Sequence, residues 1–395
     1  MEQSPATSEK IGKAPGADAL PSSLYVDHNA TSPMRPIALQ AIREVALSHG
    51  NPSSIHRAGQ NSRRRLDEAR EDIRRLVQAP EARVIFTGSG SEADNLGLRI
   101  LTKYGSPSAK RILLAPLEHP AVLAMAEALR KEGFIIDHLP VKSTGQVSLD
   151  DLKTLPTEAY CLAALMVAHN ETGVLQPVQE LCAWGQEHRI PVHVDAVQGA
   201  GKIPLDFKAL GATTMALAGH KFGGPKGIGA LILDKGLPVE PLWEGGAQEY
   251  GYRPGTQATA LAAGMGAAAE EATSEGFLSH LAPWRDEFEK HLRERHDVFV
   301  VGEKAARLPN TSLMGFRGFR SYELLDRFEN KGIFVGAGAA CHAGIQTPPK
   351  LLTAMGFSDE EALSVVRFSF GHDTTSEQIT ELTQRVGEVL QELES

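Results

Sequence analysis

Cysteine is scarce in this chain of 395 residues, which holds only Cys161, Cys182 and Cys341 and no C-x-x-C pair. That usage suits a reducing compartment, the cytoplasm by default. A chain this long buries enough apolar surface to need neither disulfides nor a structural metal. No apolar run approaches the ~18–20 residues needed to span a bilayer, which argues against a membrane protein. The N-terminus carries Glu2, Glu9 and Lys10 without an apolar stretch, so it does not read as a secretory signal. A dense basic tract is also missing. Lys and Arg number 40 against 49 Asp and Glu, for a net charge of −9, and this speaks against a dedicated nucleic-acid binder. The run Arg63-Arg64-Arg65 sits inside an amphipathic helical pattern and reads as a solvated face. No internal repeat is visible.

What is present is an ordinary globular composition, 42% hydrophobic and 23% charged, sized for two domains or one large α/β unit. Residues 1–22, rich in Ser, Ala, Gly and Pro, read as a flexible tail. Beyond them, strand-like and helix-like stretches alternate. Leu66, Ala69, Ile73, Leu76 and Val77 share one helical face. Val84–Thr87, Ile112–Leu114, Cys161–Val167 and Pro191–Val194 read as strands. Such alternation implies a mostly parallel sheet with right-handed crossovers. An Ala-rich helix over Ala258–Ala272 and a charged helix over Gly276–His296 flank a change of composition. We expect a large domain over residues 23–273 and a smaller α/β domain over 274–395. The first strand has the option of packing with the smaller one.

Gly88-Ser89-Gly90-Ser91-Glu92-Ala93 lies between a strand and a helix. Backbone N–H groups and the helix dipole there favour an anion. The run also matches the dinucleotide fingerprint G-x-G-x-x-A, with Glu118 in the place of the ribose-binding acid, and it would equally serve as a structural turn. Lys221 stands among small and apolar residues in Ala-Leu-Ala-Gly-His-Lys-Phe-Gly-Gly. Such surroundings lower an ammonium pKa as a Schiff-base lysine requires, although a lysine simply ending a strand fits as well. Asp195 closes the strand through Val192–Val194, where open α/β sheets place ligands. A lysine, a buried acid and an anion cradle are the three things pyridoxal phosphate needs from a protein.

Ordered motifs along nearly the whole chain carry a resemblance. They are Tyr25-Val26-Asp27-His28-Asn29-Ala30-Thr31, Gly50-Asn51-Pro52-Ser53-Ser54 with His56, Glu118-His119 and Asn170-Glu171-Thr172-Gly173. His193-Val194-Asp195-Ala196 with Gln198, Gly219-His220-Lys221 and Arg253-Pro254-Gly255-Thr256 follow. Leu308-Pro309-Asn310-Thr311, Ala339-Ala340-Cys341 and Arg367-Phe368-Ser369 complete them. The sequence resembles the cysteine desulfurase and selenocysteine lyase family, within the class V, fold-type I pyridoxal phosphate enzymes. The resemblance implies a large domain with a mostly parallel seven-stranded sheet flanked by helices, a smaller C-terminal α/β domain, and pyridoxal 5'-phosphate as cofactor.

It also implies roles. Lys221 attaches the cofactor and acts as base, Asp195 pairs with its ring nitrogen, and His119 stacks on the ring and shuttles protons. Asn170 and Gln198 bond its phenolic oxygen. Gly90, Ser91 and His220 hold the phosphate, joined by Thr256 from a second subunit of a homodimer. Asn170 and Arg367 bind the substrate, the guanidinium gripping its carboxylate as a bidentate fork. Cys341 attacks the sulfur of L-cysteine, takes it as a persulfide for an acceptor protein, and leaves alanine. Cys161 and Cys182 read as core thiols.

Two departures stand out at the cofactor. Ser91 replaces a common threonine, and Ala218 replaces a common serine, removing one phosphate hydrogen bond of ~1 kcal/mol. In the third, Ala339-Ala340-Cys341-His342 lacks the serines that flank the cysteine in many desulfurases and looks like the loop of selenocysteine lyases. L-selenocysteine is therefore the alternative substrate. A sulfur-relay partner with weak turnover, or another class V activity, are the remaining readings; retention of Lys221, Asp195 and Cys341 favours an enzyme.

Overall fold

The computed structural model describes residues 23–104, 106, 108–337, 341–342 and 345–394, with side chains at 341–346 left out. The expected tail lies outside these residues. In chain order the strands are β1 (Leu24–Val26), β2 (Arg83–Thr87), β3 (Arg111–Leu114), β4 (Ile135–His138), β5 (Tyr160–Met166), β6 (Val192–Asp195) and β7 (Thr214–Ala218). They continue as β8 (Gly229–Leu233), β9 (Val298–Val300), β10 (Thr311–Phe316), β11 (Ile333–Ala337), β12 (Cys341–His342), β13 (Ile345–Gln346) and β14 (Val365–Ser369).

The larger sheet has seven strands in the order β2-β8-β7-β6-β5-β3-β4. It is parallel from β7 to β4, while β8 runs antiparallel to both neighbours. All seven residues of β5, Tyr-Cys-Leu-Ala-Ala-Leu-Met, are buried, as an interior strand covered on both faces requires. The helix Arg57–Leu76 lays Leu66, Ala69, Ile73 and Leu76 into the core, and Arg63, Arg64 and Arg65 stay exposed. Its N-terminus is capped by His56, which accepts from the Gly59 N–H. The Ala-rich helix runs over Thr259–Ser274. Cys161 and Cys182 are both buried and unpaired, and burial pushes their thiols up to about 11 and about 12.

A second sheet has the order β1-β11-β14-β10-β9 and its own apolar cluster around Phe288, Phe316, Phe328 and Phe368. β1 joins it, parallel to β11, so the first strand packs with the C-terminal part of the chain. The helix expected over Gly276–His296 is shorter and spans Leu281–Arg293. Gly276 and Phe277 both have positive φ, at 75° and 65°, which breaks the chain direction before the helix starts. The backbone of β12 pairs with β13 in a two-stranded hairpin.

Candidate active site

The ends of β5, β6 and β7, the start of the helix Gly90–Tyr104, the Asn29–Ala30 segment and β14 enclose a cavity of about 380 Å³. Its volume falls in the range of small-molecule sites. Gly90, Ser91, His119, Asn170, Asp195, Gln198, His220, Lys221 and Arg367 all line it. Thr256 does not: it is exposed, just after Gly255, whose φ of 106° only glycine adopts readily. For Cys341 the structure gives the backbone pairing of β12, and its side chain lies outside the described residues.

Lys221 sits on the turn Gly219–Lys221 directly after β7. Its Nζ donates to the carbonyls of Asn29 at 2.6 Å and Ala30 at 2.9 Å. Burial, helped by the nearby Arg367 charge, brings its ammonium down to about 8. Asp195 ends β6, and its Oδ1 accepts from the Val197 N–H at 2.9 Å. Burial first, and then the neighbouring Asp94, push its carboxyl up to about 7. Asp94 is itself buried, held up to about 8 by desolvation, and lies 3.2 Å from His193 Nε2. The His193 Nδ1 bonds Thr214 Oγ1, and burial lowers this imidazole to about 4. Glu118 is no ribose-binding acid here. It is buried, accepts from the Met166 N–H through Oε1, and has an unpartnered Oε2.

His119 caps the helix Pro120–Lys131. Its Nδ1 accepts from the Ala121 N–H at 3.1 Å, so in the neutral ring the proton is on Nε2. Desolvation lowers its pKa. His220 meets Thr31 Oγ1 through Nδ1, and burial with the Lys221 charge brings it down to about 4.

At the anion loop, Glu92 Oε2 accepts from the Gly88 N–H at 2.7 Å, and Glu92 Oε1 accepts from Arg253 Nε at 2.9 Å. The Arg253–Thr256 segment is thereby tied to the loop. A Cβ at Gly90 would lie 2.8 Å from Val197 Cγ2 and 3.1 Å from Ala218 Cβ, so a side chain would crowd the cradle at the helix start. Ala218 lines the cavity with a methyl where a serine would offer a hydroxyl.

Arg367, on β14, reaches into the cavity from the smaller sheet. Its Nη2 donates to Asp27 Oδ1 and its Nη1 to Glu171 Oε1, both at 2.6 Å, while its Nε is buried without a partner. Glu171 Oε1 also accepts from Asn170 Nδ2 at 2.8 Å. Burial, reinforced by Asp27, raises the Glu171 carboxyl. Sequence reasoning assigned no role to Asn29, Asp27, Asp94, Glu171 or Lys202. Asn29, Asp27 and Glu171 lay inside quoted motifs, but nothing in their spacing showed that they turn inward.

The family model for Aminotransferase class-V matches residues 24–382. The chain belongs to this family. Among its class-V relatives, it is 36% identical over 360 residues to a cysteine desulfurase IscS of Dictyoglomus turgidum, covering 90% of this chain and 91% of that one. It is 38% identical over 358 residues to an IscS-like cysteine desulfurase of Mycobacterium tuberculosis, at 88% and 91% coverage. Its fold is similar to a solved NifS-like protein from Rickettsia africae, with TM-score 0.83, 29% identity, and coverage of 93% and 99%. Class-V enzymes of this kind are fold-type I, and the mostly parallel seven-stranded sheet agrees.

Proposed function

We propose that this chain is a cysteine desulfurase that uses pyridoxal 5'-phosphate to convert L-cysteine to L-alanine and pass the sulfur to Cys341. The convergence of Lys221, Asp195 and Arg367 on one cavity carries the reading, because a lysine, a buried acid and a guanidinium with a donor to spare are what a cofactor-bound amino acid requires. The donor set fits the cofactor: an ammonium near its working pH, a carboxyl beside it, and a glycine-lined helix start for a phosphate. Relatives bearing the name cysteine desulfurase at about a third identity support the same reading.

Bound there, the cofactor supplies an electron sink for the substrate's Cα. Asp195 would hold the proton shared with the ring nitrogen, His119 would cover the ring face, and Asn170 with Gln198 would bond the phenolic oxygen. Gly90, Ser91 and His220 would hold the phosphate. Arg367 would bind the substrate carboxylate, and its unpartnered Nε is a donor ready for it. Lys221 Nζ would take the proton from Cα. The Cys341 thiolate would attack the substrate sulfur, forming the S–S bond of a persulfide as the Cβ–S bond breaks with its electron pair going to Cβ. Cβ would then take a proton to become the methyl group of alanine, and the outer sulfur would pass to an acceptor protein, freeing the Cys341 thiol.

The exposure of Thr256 outside the cavity supports its delivery to the site of a second copy, and so a homodimer. A division at residue 273, with Cys341 and Arg367 on the smaller part, is supported by the separate second sheet and its apolar cluster. The cytoplasm is the proposed location. Among the described residues no helix is long and apolar enough to cross a membrane.

The test measures alanine released by the pyridoxal-phosphate-loaded protein from L-cysteine and from L-selenocysteine, with reductant. Turnover of cysteine, falling by at least about a hundredfold in Cys341→Ala, is the expected result. Strong preference for selenocysteine that survives Cys341→Ala would make the enzyme a selenocysteine lyase. Alanine from neither would overturn both.

A further inference from the structure

Lys202 is 1% exposed and has no part in the chemistry above. Its Nζ donates to Gln198 Oε1 at 2.6 Å and to Asn29 Oδ1 at 2.7 Å. Backbone acceptors identify the nitrogen end of each amide. Gln198 Nε2 donates to the Asn29 carbonyl at 3.0 Å, and Asn29 Nδ2 donates to the Asn170 carbonyl at 3.1 Å. Their oxygens are therefore the ends that face Lys202. Among the described residues no carboxylate pairs with this lysine, and the charges that bear on it, Lys221 and Arg367, are both cationic. Burying an ammonium among cations is costly, and an apolar side chain of similar size would fill the space without that cost.

We propose that Lys202 is a positioning residue for the reaction: it holds the Gln198 carboxamide with its nitrogen turned to the cavity, so that only donors and positive potential meet the cofactor's phenolic oxygen. The proposal rests on the reading that Gln198 faces that oxygen. One N–H of Gln198 Nε2 is spent on the Asn29 carbonyl, and the second is left for the cavity that Gln198 lines. The same Asn29 carbonyl receives Lys221 Nζ. Lys202 thus bonds both the amide that would meet the cofactor and the side chain of the residue whose backbone carbonyl holds Lys221. A donor and a nearby positive charge favour the anionic form of an oxygen over its protonated form.

The test loads wild type, Lys202→Met, Gln198→Ala and the double variant with pyridoxal phosphate. It follows the pH midpoint of the bound cofactor's visible band and its dissociation constant. Lys202→Met is expected to raise the midpoint by about one unit and weaken binding about tenfold. Because part of the Lys202 effect passes through Gln198, the double variant should shift by clearly less than the sum of the two single variants. An unchanged midpoint in folded Lys202→Met, or additive shifts in the double variant, would overturn the proposal. Lys202→Gln, neutral but still a donor, should fall between wild type and Met, and a wild-type midpoint in it counts against the charge. If the Met variant does not fold, as judged by circular dichroism, the Gln variant decides. A wild type that develops no visible band fails at the cofactor reading itself, which separates that failure from a negative result on Lys202.

Discussion

Two groups of buried ionisable side chains gather at and behind the cavity wall, and their sequence origins differ. Asp195, Asp94 and Glu118 come from the large sheet and its helices, and among the described residues none bonds a lysine or arginine. Lys221, Lys202 and Arg367 make up the cationic group; Arg367 is neutralised by Asp27 and Glu171, while Lys221 and Lys202 rest on carbonyl and amide oxygens. Burial drives the two groups toward neutrality from opposite directions, carboxyls up and lysines down. The lesson is one of polarity. On the function proposed above, the acidic set would meet a ring nitrogen carrying a proton, and the cationic set a phenolic oxygen and a carboxylate.

Removing the acid at the heart of the carboxyl group should break this contrast most severely. Asp195→Asn is expected to lower kcat for alanine formation by about two to three orders of magnitude, the usual scale for deleting one electrostatic stabiliser, with the protein still folded by circular dichroism. On the cationic side the effect should be smaller and fall on binding. Arg367→Lys keeps the charge but loses the planar fork, so KM for L-cysteine should rise about tenfold or more while kcat changes less.

The smallest change tests the carboxyls without cofactor. A buried carboxyl whose pKa is raised binds more protons folded than unfolded, so its contribution to stability is lost as pH climbs toward that raised value. For Asp195 and Asp94 this loss extends to about 7 and about 8. The lowered histidines His193 and His220 act in the reverse sense, but only below the ordinary histidine pKa of ~6.5. The lowered lysines Lys221 and Lys202 add stability as pH rises through the same window and offset the carboxyls, so the clean readout is the difference between two proteins. Between about pH 6.5 and 8 the melting temperature of cofactor-free Asp94→Asn should fall less, or rise more, than that of wild type in a thermal scan at several pH values.

The fold was legible where the local code is strong. The buried run of β5, the strand ending at Asp195 and the glycine-rich turn before the helix at Gly90 all read directly from residue type and spacing. The start of the helix at Leu281 did not, because the left-handed backbone at Phe277 is imposed by packing on a residue that does not favour it. At the site, Asp195 and Lys221 stand at strand ends, where pattern raises a ligand as one reading, with a plain strand end the other reading for Lys221. Asp94 looked like any helix residue, and Lys202 like a turn residue four places beyond Gln198. Their meaning comes from what the sheet brings against them, and a one-dimensional pattern carries no such information.

The first strand has a consequence for how the chain is made. β1 lies just ahead of Asn29 and Ala30, whose carbonyls hold Lys221, yet its partner β11 emerges from synthesis roughly 300 residues later, one of the longest-range pairings such a chain can contain. The large sheet, complete at Leu233, is free to form while the ribosome is still working. The segment that closes over the lysine bonds residues made well before β11, its Ser32 N–H reaching the His220 carbonyl and its Arg35 Nε the Phe222 carbonyl, while the strand ahead of it has no partner until β11 is made. One end of this roof can be laid early, and the other must wait for the far end of the chain.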